Sequence, residues 1–446
     1  MAEPEEQTDA GGEARGRSGW TRRAFVHAGL RAGVVGASLS TGPGVQSAFA
    51  TTGSDDPPHI RRRVRVGKTN VEIPDISFGS FSLESDEALI HHALDRGITH
   101  FDTAESYTGG RSEEVLGRAL RGRRQDVTLT SKFVAKPGHR ADYQMKMLEG
   151  SLRRLKTDYI DFYFNHAVND VARLESEQWQ DFVSKAKSQG KIRHIGMSGH
   201  AARLGSCVEY ALDHQLVDVL LVAYNFSQQP SFRESVGQTL RDLAPGLDLI
   251  SSQSNLPGLL SRASAEGVGI MAMKTLRGAR QNDMRAFESP GRTFSQAAFR
   301  WVLAEPAVDG LVVTMKSPEM IDEYVEASGS GPPDGEDLAL LLRYQHRNHG
   351  SSCLVGCGDC QDACPLGVSI ADVMRVRMYD VDYGLPAIAA REYAGLAKTA
   401  DACLTCSGLP CSSACSAGLG IPDLMRDTAR RLTNTEEAEE SGHPGA

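Results

Sequence analysis

The chain has 446 residues, of which 40% are hydrophobic and 24% charged, and its formal net charge is −9. This composition is typical of a globular protein with a sizeable apolar core, and the acidic balance argues against nucleic acid or an anionic membrane surface as a partner. Eight of the nine cysteines lie between Cys353 and Cys415, so the C-terminal part is expected to carry a chemistry of its own.

The first 50 residues resemble a twin-arginine export signal. Arg22 and Arg23 precede Phe25 and a soft apolar run that ends at Ala48-Phe49-Ala50, a small-residue cleavage pattern. The run contains Arg31 and polar residues, and it is too short and polar for a span of about 20 apolar residues. We therefore expect no membrane span, and export by the twin-arginine machinery to the periplasm or the medium. The alternative is a cytoplasmic protein whose disordered tail contains two arginines.

Residues 60–327 alternate between short β-branched runs and segments of helical period. After a hairpin over Arg61–Ile76, eight candidate strands cover Ile76–Phe81, Ile98–Ala104, Val127–Ser131, Tyr159–Asn165, Ile192–Ser198, Val217–Tyr224, Val268–Met273 and Val308–Thr314. Strands that alternate with helices predict a closed parallel (β/α)8 TIM barrel of the α/β class. The long interval Asn225–Gly267 is predicted to be an elaborated loop near the site.

A second, smaller domain is expected after the barrel. The Gly-, Ser- and Pro-rich run Ser328–Gly335 breaks both helix and strand, so residues 328–342 are predicted to be a linker. Residues 343–432 then read as a small cysteine-rich helical module, and the acidic residues 433–446 as a disordered tail.

Polar residues follow three consecutive predicted strands, where the loops of a TIM barrel build the active site. Asp102 ends the second strand and Tyr107 follows it, Lys132 ends the third, and His166 ends the fourth. The order and spacing of these four residues resemble the catalytic tetrad of the aldo-keto reductases, and Gly97–Gly117 resembles a signature of that family. The resemblance covers the whole barrel and implies a nicotinamide-dependent oxidoreductase that interconverts a carbonyl and an alcohol.

The chemistry of that reaction needs these residue types. Hydride delivered to a carbonyl carbon leaves negative charge on oxygen, which a proton donor must meet. Tyr107 is the expected donor; Lys132 is expected to lower the pKa of its phenol, and Asp102 to orient the lysine. His166 is expected to hold the substrate oxygen.

The resemblance also implies a site for NAD or NADP. The expected cofactor-binding residues are Ser198, Tyr224, Lys274, Leu276, Lys316, Ser317 and Glu323. Lys316 and Ser317 fall where the family holds the adenosine ribose phosphate, Lys274 and Leu276 where it holds the pyrophosphate, and Tyr224 where a ring could stack. Three positions depart from the family: Met320 replaces an arginine, Gly199 an asparagine, and Leu221 or Val222 a glutamine.

The eight clustered cysteines form two groups of four. They are Cys353, Cys357, Cys360 and Cys364, followed by Pro365, and Cys403, Cys406, Cys411 and Cys415. Both groups resemble the bacterial ferredoxin pattern, in which three cysteines of one group and the last of the other hold each 4Fe–4S cluster. That resemblance implies one cluster on Cys353, Cys357, Cys360 and Cys415, and another on Cys364, Cys403, Cys406 and Cys411. One cluster only, zinc knuckles and disulfides are the alternatives.

The sequence as a whole predicts an exported oxidoreductase that acts on a small-molecule substrate and passes electrons through iron–sulfur clusters to a redox partner. Free nicotinamide cofactor belongs to the cytoplasm, so the hypothesis includes cofactor loaded before export. The alternative is a barrel that binds NAD(P) as a sensor or partner-binding module without significant turnover.

Overall fold

The computed structural model describes residues 56–201, 203–228, 255–277, 284–348, 353, 357, 359–360, 362–407, 410–415 and 418–433. The predicted export signal, residues 1–50, lies outside the described residues, and so do nearly all of the predicted tail and the greater part of the interval Asn225–Gly267. Elements are numbered below over the described residues.

Eight parallel strands close into a barrel and confirm the predicted (β/α)8 fold. A two-stranded antiparallel hairpin precedes them, and the neighbour order around the barrel is β10-β3-β4-β5-β6-β7-β8-β9. The strands are β1 (Arg63–Arg65), β2 (Glu72–Pro74), β3 (Ile76–Gly79), β4 (His100–Asp102), β5 (Thr128–Phe133), β6 (Ile160–Asn165), β7 (Ile192–Gly199), β8 (Val219–Ala223), β9 (Gly269–Met273) and β10 (Gly310–Thr314).

Helices pack around the barrel and continue beyond it. They are α1 (Glu87–Asp95), α2 (Arg111–Ala119), α3 (Ala141–Leu155), α4 (Glu177–Ser188), α5 (Leu204–Asp213), α6 (Leu256–Glu266), α7 (Phe294–Leu303), α8 (Pro318–Val325), α9 (Gly335–Arg347), α10 (Ile370–Val381), α11 (Pro386–Ala394) and α12 (Ile421–Thr433). In the described residues no helix is long and apolar enough to cross a membrane.

The hairpin closes the N-terminal end of the barrel. Val66 and Ile73 are fully buried and join a small apolar cluster with barrel residues such as Phe162. Gly67 has a φ of +50°, and a Cβ there would lie 2.4 Å from the backbone nitrogen of Gly269, so only glycine fits. The opposite end, where the strands finish, is the mouth of the barrel, and the site lies there.

Two predicted irregular segments contain helices. Helix α6 occupies the end of the interval predicted as a loop, with Pro257 in its first turn and Gly267 as its left-handed C-cap (φ 81°). Helix α9 begins inside the predicted linker 328–342, because Asp334 and Asp337 form a capping box at its start. Its apolar face, with Tyr344 1% exposed, packs on the barrel core.

The last three helices have a core of their own. Val373, Met374 and Tyr379 on α10 pack with residues of α11 and α12, such as Ala389 and Met425. Phe81, which follows barrel strand β3, packs against the same cluster. Helix α10 therefore lies against the mouth of the barrel.

Candidate active site

The structure brings the four predicted catalytic residues together at the mouth of the barrel. Lys132 Nζ lies 2.6 Å from Asp102 Oδ1, 2.7 Å from the carbonyl oxygen of Thr103 and 3.4 Å from Tyr107 Oη. The ring of His166 stands edge-on to that of Tyr107, with centroids 5.6 Å apart. Asp102 and Lys132 are buried in the wall, whereas Tyr107 and His166 are partly exposed. The lysine thus bridges the carboxylate beneath it and the phenol above it.

Backbone strain accompanies three of these loops. Thr108, directly after Tyr107, Ala167, directly after His166, and Lys274 at the end of β9 have φ values of 49°, 52° and 55°. The left-handed region costs a non-glycine residue about 1–2 kcal/mol, and such residues concentrate at functional sites. The loops therefore hold conformations that the surrounding contacts must stabilise.

Arg173 provides such contacts for the His166 loop. Its guanidinium donates to the carbonyl oxygens of His166 at 2.7 Å, Ala167 at 2.8 Å and Ala135 at 2.7 Å, and to the side-chain oxygen of Asn165 at 2.5 Å. All four partners are neutral oxygens, so Arg173 also leaves a positive charge beneath the site. Sequence analysis missed this residue, because a basic residue in a loop carries no signal of its contacts.

Burial governs the electrostatics of the tetrad. It raises the pKa of Asp102 and lowers that of Lys132, and the ion pair between them opposes both shifts. Burial and the charge of Asp102 raise the pKa of Tyr107 well above its usual value, so the expected lowering by Lys132 is not what the structure shows. The pKa of His166 is lowered by burial and by Lys132, which keeps its ring neutral. Tyr107 is accordingly a proton donor at neutral pH.

Some predicted cofactor-binding residues line the mouth. Ser198 ends β7 and its Oγ accepts from the backbone nitrogen of Ala167 at 2.9 Å. At Gly199 a Cβ would lie 2.5 Å from Leu204 Cδ1, which explains glycine where the family has asparagine. Lys316 is exposed, and Ser317 caps α8 by accepting from the backbone nitrogen of Met320 at 3.3 Å.

Lys274 and Leu276 lie in the loop after β9. Lys274 points across the mouth toward α10, while Leu276 packs partly buried against the barrel core. Between them, the buried hydroxyl of Thr275 has no hydrogen-bond partner among the described residues. This loop therefore presents a hydroxyl that the described part of the chain does not satisfy.

Tyr224 and Glu323 are placed elsewhere. The ring of Tyr224 is fully buried against Trp301, with centroids 5.5 Å apart, and its hydroxyl donates to Glu305 at 3.1 Å. The carboxylate of Glu323 accepts from Thr293 Oγ1 at 2.6 Å. The structure therefore gives both residues contacts in the barrel wall, and their predicted cofactor roles have no support in these contacts.

Three aromatic or basic residues at the mouth escaped sequence analysis. Phe81 stands edge-on to Tyr107 with ring centroids 5.0 Å apart, and Tyr379 stacks on Phe81 at 5.4 Å. Arg375 lies one turn before Tyr379 on α10, and its charge lowers the pKa of His166 and of His200. Tyr379 and Arg375 come from a distant part of the chain, so no local pattern could have indicated them.

The structure gathers the cysteines into two groups. Cys364, Cys403, Cys406 and Cys411 line one cavity with Pro365, Leu366, Ile370, Pro410, Pro422 and Met425. In the other group, burial together with Cys357, Cys360 and Cys415 raises the pKa of Cys353 to about 12. The nine cysteines, all within the described residues, form no disulfide bond. Over the described residues, no group of three or more Cys, His, Asp and Glu side chains is arranged to hold a single metal ion.

The chain belongs to the aldo/keto reductase family, whose sequence profile matches residues 66–340. Among curated relatives, it is 27% identical to L-glyceraldehyde 3-phosphate reductase of Escherichia coli O157:H7, covering 62% of this chain and 90% of that one. It is also 27% identical to L-galactose dehydrogenase of Arabidopsis thaliana, over 59% and 86% of the two chains.

A solved aldo/keto reductase of Klebsiella pneumoniae, in complex with NADP and acetate, is 25% identical with a TM-score of 0.47, covering 65% of this chain and 95% of that chain. The residues that match the family profile include all eight strands of the barrel. With the family shown, the protein is an oxidoreductase of the aldo/keto reductase type.

Proposed function

We propose that this protein interconverts a carbonyl and an alcohol with NAD or NADP as its cofactor. The observation that carries the proposal is the position of Lys132 Nζ, 2.6 Å from Asp102 and 3.4 Å from Tyr107 at the mouth of the barrel. The names of the two curated relatives describe a reductase and a dehydrogenase, which run this chemistry in opposite directions.

The side chains have distinct tasks in this reaction. The raised pKa of Tyr107 keeps its proton in place until charge develops on the substrate oxygen. Neutral His166, whose buried Nδ1 has no hydrogen-bond partner in the described residues, flanks the position between the two rings where that oxygen would sit. Lys132 stabilises the phenolate that proton transfer leaves behind, and Asp102 holds the lysine in place.

The residues around the mouth fit a nicotinamide cofactor. When bound, the cofactor supplies the hydride. Ser198 would hold its amide, Lys274 and Leu276 with the unpartnered hydroxyl of Thr275 its pyrophosphate, and exposed Lys316 with Ser317 at the start of α8 its ribose phosphate.

The two cysteine groups fit 4Fe–4S clusters. Each thiolate of a cluster binds a different iron, so the four sulfurs stand farther apart than the ligands of one ion. Cys364, Cys403, Cys406 and Cys411 line one cavity, which is the ligand set that the ferredoxin pattern implies for one cluster, and this supports clusters over zinc knuckles. When bound, clusters supply one-electron transfer, and we propose this as the role of the module, toward an external redox partner.

Export by the twin-arginine route completes the proposal. The motif at residues 22–25 supports it, and the need to insert clusters and cofactor before export accords with a route that carries folded proteins. The protein would then act in the periplasm or outside the cell, with cofactor that is retained rather than exchanged.

The experiment is an anaerobic purification from the native compartment, followed by turnover assays on a panel of aldehydes, ketones and alcohols with NAD(H) and NADP(H). We expect turnover, about eight irons per chain and broad visible absorbance from the thiolate-bound clusters. A protein that binds cofactor but does not turn over would instead be a sensor, and colourless protein that contains zinc would overturn the clusters. Anaerobic mixing with substrate tests electron transfer, because clusters that stay oxidised while substrate is consumed would make them structural.

A further inference from the structure

Helix α10 presents two functional side chains to the catalytic groups of the barrel. Tyr379 stacks on Phe81 with ring centroids 5.4 Å apart and planes 28° apart, and Phe81 in turn touches Tyr107 edge-on at 5.0 Å. Arg375 lies one helical turn earlier and its charge acts on His166. The cysteine-rich region thereby forms the roof of the active site.

Lys274 and Tyr379 form a second lysine–tyrosine pair, which resembles the pair of Lys132 and Tyr107 in the tetrad. Lys274 Nζ lies 3.3 Å from Tyr379 Oη and 4.8 Å from the ring centroid, compared with 3.4 Å and 4.9 Å for Lys132 and Tyr107. The two pairs differ in their counter-ions. Asp102 neutralises Lys132, whereas in the described residues no carboxylate forms an ion pair with Lys274. The charge of Lys274 is thus available to a ligand.

Arg375 has hydrogen-bonding capacity left over. Its Nη1 donates to Glu392 Oε2 at 3.2 Å, but in the part of the chain that the structure describes its buried Nε has no hydrogen-bond partner and lies 4.0 Å from Asp372 Oδ1. Asp372 is held at its other oxygen by Ser369 at 2.5 Å. The guanidinium is only 13% exposed, and a buried donor left without an acceptor costs about 1–3 kcal/mol. An acceptor that enters from the mouth would remove this cost.

The surroundings favour a negatively charged acceptor. Over the described residues, the buried Nδ1 of His200 has no hydrogen-bond partner, and the pKa of His200 is lowered by burial and by the charges of Lys274 and Arg375. Arg173, whose charge acts on His166, donates only to neutral oxygens. Asp372 and Glu392 lie beside Arg375, but Lys274 and Arg173 form no ion pair with a carboxylate in the described residues, so these two cations favour an anion at the mouth.

We propose that Arg375 and Tyr379 bind an oxyanion substituent of the substrate, a carboxylate or a phosphate, while Lys274 donates to the hydroxyl of Tyr379. This inference rests on the proposed function, because the anion is held at the roof while the reacting carbonyl lies between Tyr107 and His166. Substrate choice is then made by the cysteine-rich region, whose helix α10 supplies the guanidinium. The preferred substrates are oxo or hydroxy acids and sugar phosphates rather than neutral carbonyls.

The test compares pairs of similar substrates, one anionic and one neutral, on the full-length holoprotein. The pairs are 4-oxobutanoate with its methyl ester, and glyceraldehyde 3-phosphate with glyceraldehyde; whichever pair shows the larger effect identifies the oxyanion. For Arg375→Gln and Tyr379→Phe we expect kcat/KM on the charged member to fall about 10–100-fold, in line with about 1.5–3 kcal/mol for a hydrogen bond to a charged group. The neutral member should change less than about twofold, and Arg375→Lys should restore part of the loss.

Arg377→Gln is the matched control, because Arg377 lies on the same helix and bonds to Asp427. It should leave both substrates unaffected. Iron content and the thermal unfolding midpoint check that each variant is folded. Equal losses on both members of a pair, or a loss of NADPH affinity in Arg375→Gln, would overturn the inference.

A calorimetric titration with 4-oxobutanoate and glyceraldehyde 3-phosphate separates this inference from the proposed function. Binding that is lost in Arg375→Gln but leads to no turnover would support the anion site and overturn the enzyme. Turnover of the neutral compounds without preference for the charged ones would support the proposed enzyme and overturn the anion site.

Discussion

The barrel and the cysteine-rich region achieve their chemistry in different ways. In the barrel, the charge of Lys132 is met by Asp102 and by a backbone carbonyl, so the protein itself satisfies this lysine. In the cysteine-rich region, burial raises the pKa of Cys360 and of Cys403 to about 11 in each case, which favours protonated thiols. The proposed clusters would replace these protons on binding, so their binding would be coupled to ionisation of the thiols.

This difference predicts that the two regions can be impaired separately. A barrel variant should lose turnover and keep its iron, and a cysteine variant should lose iron and keep a folded barrel. The roof is the exception, because α10 belongs to the cysteine-rich region by its core and to the active site by Arg375 and Tyr379.

The largest effect is expected for Tyr107→Phe. It removes the proton donor and little else, so kcat should fall about 10²–10⁴-fold while cofactor affinity and iron content stay unchanged. Stopped-flow and equilibrium binding measure the two quantities. Tyr163→Phe is the control, since its buried hydroxyl in β6 has no partner, and it should keep full activity. Normal turnover of the Tyr107 variant would refute the assigned mechanism.

Lys132→Met tests whether the barrel satisfies its own charges. The substitution leaves Asp102 buried without its cation, which should cost about 3–5 kcal/mol of unfolding free energy. Denaturant unfolding measures the loss. Adding Asp102→Asn should recover part of the stability but not the activity. A double variant no more stable than the single one would show that the pair is not energetically coupled.

Cys411→Ser should remove one cluster selectively and reduce the iron content by about half. Its thiol lines the cavity with Cys364, Cys403 and Cys406, and not the group of Cys353. Iron analysis and electron paramagnetic resonance measure the outcome. Cys207→Ser, in a buried barrel helix, should leave iron unchanged. Unaffected iron in Cys411→Ser would refute the assigned ligand groups.

The pH dependence of reduction should differ between neutral and anionic substrates. Tyr107 must be protonated, and its pKa is raised above 10.0. His166 stays neutral because its pKa is lowered well below 6.5. For a neutral aldehyde, kcat/KM should therefore not change between pH 6.5 and pH 10.0. Burial raises the pKa of Tyr379, but Lys274 and Arg375 outweigh it and the net shift is downward. For an anionic substrate, kcat/KM should therefore begin to fall before the pH has risen to 10, because Tyr379 loses its proton and becomes negative. Parallel profiles would count against the anion site.

The smallest effect is expected for Arg426→Gln. Arg426 donates to the carbonyl oxygens of Cys403 at 3.3 Å and Cys406 at 3.0 Å. A cation beside a cluster favours its more negative, reduced form, so removing it should lower one of two reduction potentials in a redox titration. Arg431→Gln, whose partner is Asp380, should change neither potential. An equal shift of both would indicate a general change in the fold.

Local patterns in the sequence were enough for the barrel. Each strand is a short apolar run, and Asp102, Lys132 and His166 each lie within one residue of a strand end, so the strand positions and the assembly of these polar groups at one end follow from β-strand periodicity and parallel topology. The resemblance of the cysteine spacing to the ferredoxin pattern implied two groups of thiols, and Cys364, Cys403, Cys406 and Cys411 do line one cavity. In each case neighbours along the chain carry the information.

Tertiary packing decided the rest. Contacts outside the local pattern decide three features. They are the position of Tyr224 in the barrel wall, the hydrogen bonds of Arg173 to the His166 loop, and the start of α9 inside a predicted linker. The raised pKa of Tyr107 depends on burial that no spacing reveals. Arg375 and Tyr379 reach the active site only because a second core places α10 over the mouth. The sequence by itself therefore determined the barrel and the positions of its candidate catalytic residues, whereas the roof and its charges came from packing between segments more than 100 residues apart.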